Sequence, residues 1–292
     1  KIVSTTSDQS AAMPIRLEAL SILRSWHEPS GRDRITGLWR PVKPVLISQV
    51  AHVVQPVLTS LIQDPEPQVQ QSAILLAGDL SLAISVDTLT SLLRNHDNPP
   101  LHRQLAVTSL TKINPPKLLQ ILRTVIDDPQ DSVRAIALRS LAKLQPREAV
   151  GPLRQILTSG SIANKQSALQ TLGELSTDGA DLILSEWMHK LLDQNVEKEL
   201  YLDLLAASKK RPSHRLQKLV SDYESQQSSE NLFDTYRETL WGGNENRGRD
   251  LFFNKISVSC MRCHRAENRG GTVGPDLAGI GEKRDRPYLL QS

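Results

Sequence analysis

The sequence predicts an all-α protein, in which a short solenoid of helical hairpins precedes a small C-terminal domain. Aromatic residues make up only 4% of the 292 residues, while Leu and Ala are abundant. One apolar pattern recurs at helical spacing, and no alternating strand pattern accompanies it. All three Phe residues lie beyond residue 232, and this change of composition indicates a second domain.

The recurring pattern is a small or apolar residue followed by apolar residues four and seven positions later, which places all three on one helical face. Its copies are Ala19-Leu23-Trp26, Ala73-Ala77-Leu80, Ala106-Leu110-Ile113, Ala137-Leu141-Leu144, Ala168-Leu172-Leu175 and, more weakly, Leu200-Leu204-Ala207. The four copies from Ala73 to Ala168 lie 33, 31 and 31 residues apart. Patterns typical of a first helix lie between them, so each unit is predicted to be a helical hairpin of a right-handed solenoid.

Polar residues repeat in register with this pattern. Three positions before each heading Ala stand Arg16, Gln70, Arg103, Arg134 and Lys165. Nine positions before it stand Asp64, Asp97 and Asp128. We expect the Asp residues to mark the turn and cap the second helix, and the two rows to form solvated ion pairs between repeats. The alternative is a partner-binding ladder.

An insertion of roughly residues 27–50 separates the first two repeats. It is polar, rich in Arg and punctuated by Gly, with one large aromatic residue, Trp39. The simpler interpretation is a surface loop that packs Trp39 against the solenoid. The alternative is a docking loop for a neighbouring domain.

The stretch Cys260-Met261-Arg262-Cys263-His264 has the C-x-x-C-H pattern of c-type haem attachment. Two thiols at this spacing match the haem vinyl groups, and the following His supplies the proximal nitrogen ligand to iron. A zinc site needs further Cys or His ligands, but both cysteines of the chain are used here and no other His follows residue 214. A redox dithiol usually opens a helix of a βαβ unit, and no strand is expected here.

The residues around this motif suit a haem pocket. Residues 244–253 predict a short helix with Asn244 as the N-cap. Gly248 would allow another helix to approach, and Phe252 and Phe253 would cover the porphyrin. Gly274-Pro275 by itself is an ordinary turn signal. Its distance from the C-x-x-C-H motif makes it a candidate part of the haem site.

Several stretches resemble known families. Asp128-Pro129-Gln130-Asp131-Ser132-Val133-Arg134 resembles HEAT repeats, although these units are short for that family. Residues 248–252 before the haem motif and Gly274-Pro275-Asp276-Leu277 after it resemble class I cytochromes c. That resemblance implies that the carbonyl of Pro275 accepts a hydrogen bond from Nδ1 of His264 and orients the ring.

The combination of loop, repeats and haem motif resembles the PVC-type haem-binding proteins, described as putative membrane-bound dehydrogenases. In that family a β-propeller precedes HEAT repeats and a cytochrome c. The resemblance implies an upstream dehydrogenase domain, and a chain that is truncated at both ends. Met13, Met188 and Met261 are the only Met residues, and none is placed to be the distal ligand, which stays unknown.

These observations define the expected organisation. Residues 1–208 form the repeat domain, 209–231 a linker, and 232–292 an incomplete cytochrome domain. The predicted function is electron transfer through one covalent haem c, with a redox partner protein or dehydrogenase domain docked on the solenoid. An interaction scaffold with a structural or sensory haem is the alternative, and no catalytic site is visible.

Charge and hydropathy limit the possible partners and location. The net charge of +3 is spread along the chain, which disfavours nucleic acid as a partner. No apolar run is long enough to span a bilayer. Because c-type haem is attached outside the cytoplasm, we expect a periplasmic or otherwise exported protein.

Overall fold

The structure is a computed structural model that describes residues 1–31, 38–226, 236–255 and 257–292, apart from the side chain of Asn246. Sixteen α-helices lie in these residues, within two compact units, Lys1–Pro152 and Leu153–Ser292. The first unit holds α1 (Ile2–Ser7), α2 (Met13–Ser25), α3 (Ile47–Ile62), α4 (Pro67–Asp79), α5 (Val86–Arg94), α6 (Pro100–Ile113), α7 (Leu118–Val125), α8 (Asp131–Leu144) and the start of α9 (Pro146–Ser159). The second holds the rest of α9, α10 (Ile162–Glu174), α11 (Asp178–Leu192), α12 (Tyr201–Lys209), α13 (His214–Ser225), α14 (Glu245–Asn254), α15 (Ile280–Lys283) and α16 (Arg286–Gln291).

Helical hairpins build the first unit. Helices α1 and α2, α3 and α4, α5 and α6, and α7 and α8 pack as pairs, and the second helix of each pair packs on the next second helix. Ala73, Ala106 and Ala137 are fully buried in one continuous apolar core. The predicted repeat and its apolar face are therefore confirmed.

Small residues let the second helices approach to backbone distance. A Cβ added to Gly78 of α4 would lie 2.8 Å from the Cα of Ser109 in α6. Ser109 also donates a hydrogen bond of 2.7 Å to the carbonyl of Ile74. In the second unit, a Cβ on Gly173 of α10 would lie 2.8 Å from the Cα of Ala207 in α12. The backbones of the second helices therefore approach closely at Gly78 and Gly173.

The insertion differs from its expected packing. Helix α3 begins at Ile47, and residues 32–37 lie outside the described part of the chain. Trp39 is 70% exposed rather than packed against the solenoid, so the simpler interpretation of this loop was wrong. The N–H of Arg40 donates to the carbonyl of Gly31 at 2.8 Å, and the indole lies against Gly31. The Trp39 ring therefore lies against Gly31 and outside the apolar core.

The second unit contains two kinds of packing. Helices α10 to α13 bury apolar residues, among them Leu172, Met188, Leu204 and Leu216. Among the described residues of 242–292, by contrast, none is buried. The predicted linker, residues 209–231, includes α13, which packs on α11 and α12, and its residues 227–231 lie outside the described part. The domain boundaries themselves stay predictions.

A small hairpin departs from the all-α expectation. Strands β1 (Arg265–Ala266) and β2 (Arg269–Gly270) pair antiparallel directly after the C-x-x-C-H motif. Glu267 and Asn268 between them both have positive φ, 49° and 59°, as a tight two-residue hairpin turn requires. Two-residue strands are too short to leave an alternating pattern in a sequence.

Candidate functional site

The C-x-x-C-H motif folds into one compact turn. Cys260–Arg262 form a single turn of 3₁₀-helix, preceded by Ser259 with a left-handed φ of 51°. The N–H groups of Cys263 and His264 both donate to the carbonyl of Cys260, at 3.3 and 3.0 Å. Both thiols are free, with Cys260 half-buried and Cys263 exposed. The turn therefore presents two reactive sulfurs and an imidazole from five consecutive residues.

Pro275 fixes the imidazole of His264. Nδ1 of His264 lies 3.0 Å from the carbonyl oxygen of Pro275. A carbonyl can only accept, so Nδ1 carries the proton and donates it in this hydrogen bond. In the neutral ring Nε2 is then unprotonated, which makes it the nitrogen available to a metal. This is the contact implied by the cytochrome c resemblance.

Glycines let the following segment pack closely on this turn. The N–H of Gly271 donates to the carbonyl of Met261 at 2.8 Å, and that of Gly274 donates to the carbonyl of Cys263 at 2.7 Å. A Cβ on Gly274 would lie 2.8 Å from Cε1 of His264, so the imidazole rests directly on this glycine. The run of Gly and Pro after the motif thus has a steric reason as well as a turn-forming one.

Helix α14 is capped as predicted. The side-chain oxygen of Asn244 accepts a hydrogen bond of 2.9 Å from the N–H of Arg247. A Cβ added to Gly248 would have no described atom within 4 Å, so no other described helix approaches this glycine, and the predicted close approach stays a prediction. The contacts that position α14 are made by residues in its second half, as described next.

An aromatic and charged cluster joins α14 to the β-hairpin. Phe252 and Phe253, both half-buried, meet edge to face with their centroids 5.0 Å apart. The guanidinium groups of Arg269 and Arg249 lie 4.7 and 5.1 Å from the Phe253 ring, a cation–π arrangement. The hydrogen bond from Arg249 to Glu267, with distances down to 2.6 Å, lowers the pKa of that carboxyl.

Sequence reasoning missed the three charged members of this cluster, Arg249, Glu267 and Arg269. The one available signal was the helical spacing of four residues between Arg249 and Phe253. The two phenylalanines lie where the resemblance expects apolar cover, and their role towards a porphyrin stays a prediction.

The donor set suits a covalently held metalloporphyrin better than a zinc ion. Among the residues that the structure describes, no three His, Cys, Asp or Glu side chains converge as metal ligands. Structural zinc takes four protein ligands, whereas a c-type haem needs one His and two thiols. The described residues of 242–292 bury no side chain, and Val273 beside the turn is 86% exposed. A flat apolar group would provide the core that this segment lacks.

The three methionines differ in burial. Met188 is fully buried in α11. Met13, at the start of α2, is half-buried. Met261 lies inside the attachment turn itself. The distal ligand remains unassigned.

The two polar rows of the repeats form buried ion pairs. Arg16 pairs with Asp64, and Arg103 pairs with Asp128; all four side chains are at most 5% exposed. The expectation of solvated pairs was therefore wrong for these repeats. Each guanidinium also donates from Nε to a carbonyl of the first helix of its own repeat, Thr6 at 3.0 Å and Leu93 at 2.9 Å.

The Asp residues cap turns rather than helices. Asp64 accepts a hydrogen bond of 3.0 Å from the N–H of Glu66, and Asp128 accepts one of 2.9 Å from the N–H of Gln130. The N-cap residues of α4 and α8 are Glu66 and Gln130 themselves, so the helix-capping expectation was wrong. Lys165 and Glu197 form a further, less buried pair in the second unit.

Comparison with known proteins identifies the repeats. The sequence profile of the HEAT repeats matches residues 54–136 and 124–200, together just over half of the chain. A search of the curated proteins found no match. None of the helices that the structure describes is long and apolar enough to cross a membrane.

Two solved structures are similar to part of the chain. A phycocyanin lyase complex from Nostoc sp. shares 14% identity, covers 77% of this chain and 92% of its own, and has a TM-score of 0.40. A human deoxyhypusine hydroxylase in complex with glycerol shares 15% identity, and the match covers 77% of this chain and 93% of the hydroxylase chain, with a TM-score of 0.38. Likenesses at these scores carry no functional argument.

Proposed function

The chain belongs to the HEAT-repeat family, and we propose that it serves electron transfer through one haem c attached to its C-terminal segment. One observation carries the proposal: two free thiols and an imidazole oriented by Pro275 share a single turn. A haem bound there would supply one-electron chemistry at its iron. The absence of a buried side chain among the described residues of 242–292 supports the proposal, because a small domain needs a core.

Each residue of the turn has a distinct role in this proposal. The thiols of Cys260 and Cys263 would add across the two vinyl groups: each addition breaks one S–H bond and one C=C π bond and forms one thioether C–S bond and one C–H bond. Nε2 of His264 would be the protein's ligand to the iron. The carbonyl of Pro275 keeps the proton on Nδ1 and makes the ring a stronger donor. Phe252 and Phe253 would provide apolar cover, and no distal ligand is assigned.

The HEAT repeats serve as a spacer and docking platform in this proposal. Electrons come from a dehydrogenase domain, and they leave to a redox partner protein. The resemblance to PVC-type haem-binding proteins supports this arrangement and a periplasmic or otherwise exported location. The exposed Trp39 is compatible with a docking role for the insertion.

The test is attachment of haem in a host with a c-type maturation system. We expect the exported chain to gain the mass of one haem and to give a c-type absorption spectrum in both redox states. Cys260→Ser and Cys263→Ser should each lose one thioether, and the double variant should lose covalent haem altogether. Met261→Leu, in the same turn, is the control and should retain it. A chain without covalent haem, beside a reference cytochrome matured in the same cells, would refute the proposal.

A second candidate function is an interaction scaffold in which the haem is structural or sensory. The HEAT-repeat fold favours it, because stacked helical hairpins present extended binding surfaces. A haem that a small donor reduces reversibly supports electron transfer. Partner binding that is insensitive to redox state, with a haem that resists reduction, supports the scaffold. Rapid cyanide or CO binding would instead indicate an open iron site of the kind that peroxidases have.

A further inference from the structure

One repeat lacks the arginine that its neighbours use. In the first and third repeats, Arg16 and Arg103 reach the Asp of the following repeat. The same position of the second repeat is Gln70, and the Asp that it would reach is Asp97. Asp97 is exposed, and no cation of the described chain pairs with it. The series of buried pairs is therefore interrupted between the second and third repeats.

A cavity of about 560 Å³ lies at this interruption. Its lining includes Gln70 on the second repeat, and Asp87, Ser91, Asn95 and Asn98 on the third. The volume lies within the range of small-ligand pockets. Gln70, which stands at the repeat position of Arg16 and Arg103, lines the cavity, so the repeat without an arginine borders an open space there.

The chemistry of the lining is that of a cation acceptor. Asp87 is its one charged side chain, and no Lys, Arg or His lines it. The amide of Asn98 donates to the carbonyl of Leu92 at 2.8 Å, which leaves its oxygen free to accept. The hydroxyl of Ser91 and the amide oxygens of Gln70 and Gln63 add further acceptors. Ile62 and Leu92 supply apolar surface against which a flat group can pack.

We propose that this cavity binds an arginine side chain of a partner protein. The partner's guanidinium would take the role that Arg16 and Arg103 have in the neighbouring repeats, with Asp87 as its counter-charge. Arginine fits better than lysine, because its planar donors match the bidentate carboxylate and carbonyl geometry already seen in those repeats. The site is independent of the haem, so it stands or falls separately from electron transfer.

The test is a titration of the full ¹⁵N-labelled chain with N-acetyl-arginine methylamide, followed by NMR. We expect shifts at the backbone amides of Gln70, Ser91 and Asn95. The citrulline analogue has the same shape without the charge, and should bind about tenfold more weakly or worse, because charge-assisted hydrogen bonds are lost.

Variants separate the cavity from general charge effects. Gln70→Arg supplies the missing guanidinium from the chain itself and should abolish probe binding. Gln120→Arg adds the same charge at an exposed position of α7 and should leave binding unchanged. Asp87→Asn changes an exposed residue, keeps the fold and should weaken binding several-fold. The proposal is overturned by equal binding of citrulline, by unchanged binding in Gln70→Arg or Asp87→Asn, or by no shifts at the cavity.

Discussion

Arg16 and Arg103 hold full charges inside an apolar core. Removal from water costs several kcal/mol per ion, which only a complete set of hydrogen bonds offsets. Each guanidinium makes three hydrogen bonds towards such a set, because Nε donates to a helix carbonyl and the two Nη groups donate to one carboxylate. The carboxylates in turn accept backbone N–H groups. Such pairs tie one repeat to the next, and the loss of either partner leaves a buried charge.

Arg103→Met should lower the free energy of unfolding by about 3–5 kcal/mol, because the Asp128 carboxylate stays buried without its partner. Urea unfolding followed by circular dichroism measures the change. Arg123→Met removes an Arg–carboxylate pair of the same unit, with Glu148, that is half open to solvent. That control should have a far smaller effect, since water screens exposed pairs. Equal losses in the two variants would contradict the role given to burial.

Asp64 should make stability sensitive to acid. Burial raises its pKa, but the hydrogen bonds from Arg16 and from the N–H of Glu66 outweigh burial and hold the pKa below the ordinary 3.8. With the folded pKa below the unfolded one, the carboxylate stabilises the fold above the ordinary pKa. This stabilisation is lost as the pH falls through the folded value.

Asp64→Asn tests this dependence through urea unfolding between about pH 6 and about pH 2. The difference in unfolding free energy between wild type and variant should be largest at the upper end and shrink towards the lower end. At low pH the wild-type side chain is itself protonated and neutral, like Asn. A difference that stays constant over this range would show that the ionised form of Asp64 contributes nothing.

Gly274→Ala should displace the imidazole of His264, because the added Cβ would lie 2.8 Å from Cε1. We expect the hydrogen bond from Nδ1 to Pro275 to break and the ring to populate both tautomers. The ¹⁵N chemical shifts of the His264 ring in the haem-free chain report this change. Gly281→Ala is the matched control, since its Cβ would meet no described atom within 4 Å. Unchanged ring shifts in Gly274→Ala would mean that the glycine does not support the ring.

The candidate site was partly predictable at this scale. The sequence could predict that Cys260, Cys263 and His264 lie together because the motif is contiguous, and their role towards a haem stays a prediction. The contact between Pro275 and His264 was implied only by the family resemblance. No local sequence signal indicated that Arg16 and Arg103 are buried. The sequence pattern around an Arg is the same whether its guanidinium reaches solvent or crosses to another repeat. The depth of burial depends on neighbours that are distant in sequence.

At the scale of elements, small residues set the distance between second helices. Gly78 touches the backbone of α6, and Gly173 touches the backbone of α12, each five positions after the Ala that heads its repeat. The helices themselves were predictable because their apolar faces follow a 3.6-residue period. The β-hairpin after His264 was not predictable, because its two-residue strands depend on the positive φ of Glu267 and Asn268.

Gly78→Ala should destabilise the first unit by about 1–3 kcal/mol, the usual cost of overpacking a close helix contact. The new methyl group would meet the Cα of Ser109 and push α4 away from α6. Gly151→Ala in α9 is the control, because no described atom lies near its Cβ. Alanine there should raise stability by about 0.5–1 kcal/mol through a better helix propensity. Thermal or urea unfolding of both variants measures these changes. Stabilisation by Gly78→Ala would show that α4 and α6 are not closely packed at this glycine.

At the scale of the whole molecule, the repeats and the C-terminal segment hold together by different means. Helices α10 to α13 bury leucines of their own, whereas the described residues of 242–292 bury none. Contacts between exposed groups, such as Arg249 with Glu267, join α14 to the hairpin there. Exposed ion pairs resist opening poorly. Under the proposed function, a covalent porphyrin would supply apolar surface to this segment.

Hydrogen exchange measured by mass spectrometry should show this division. In the haem-free chain, peptides from α14 and the Cys260–Pro275 region should exchange much faster than peptides from α11 and α12, because segments with few buried apolar contacts open most easily. Attachment of haem should slow exchange in the first set and leave the second nearly unchanged. The haem-free double variant Cys260→Ser/Cys263→Ser, produced in the same host, is the control. Slow exchange of α14 without haem would show that the segment is stable on its own, and would remove the main structural support for a haem-filled core.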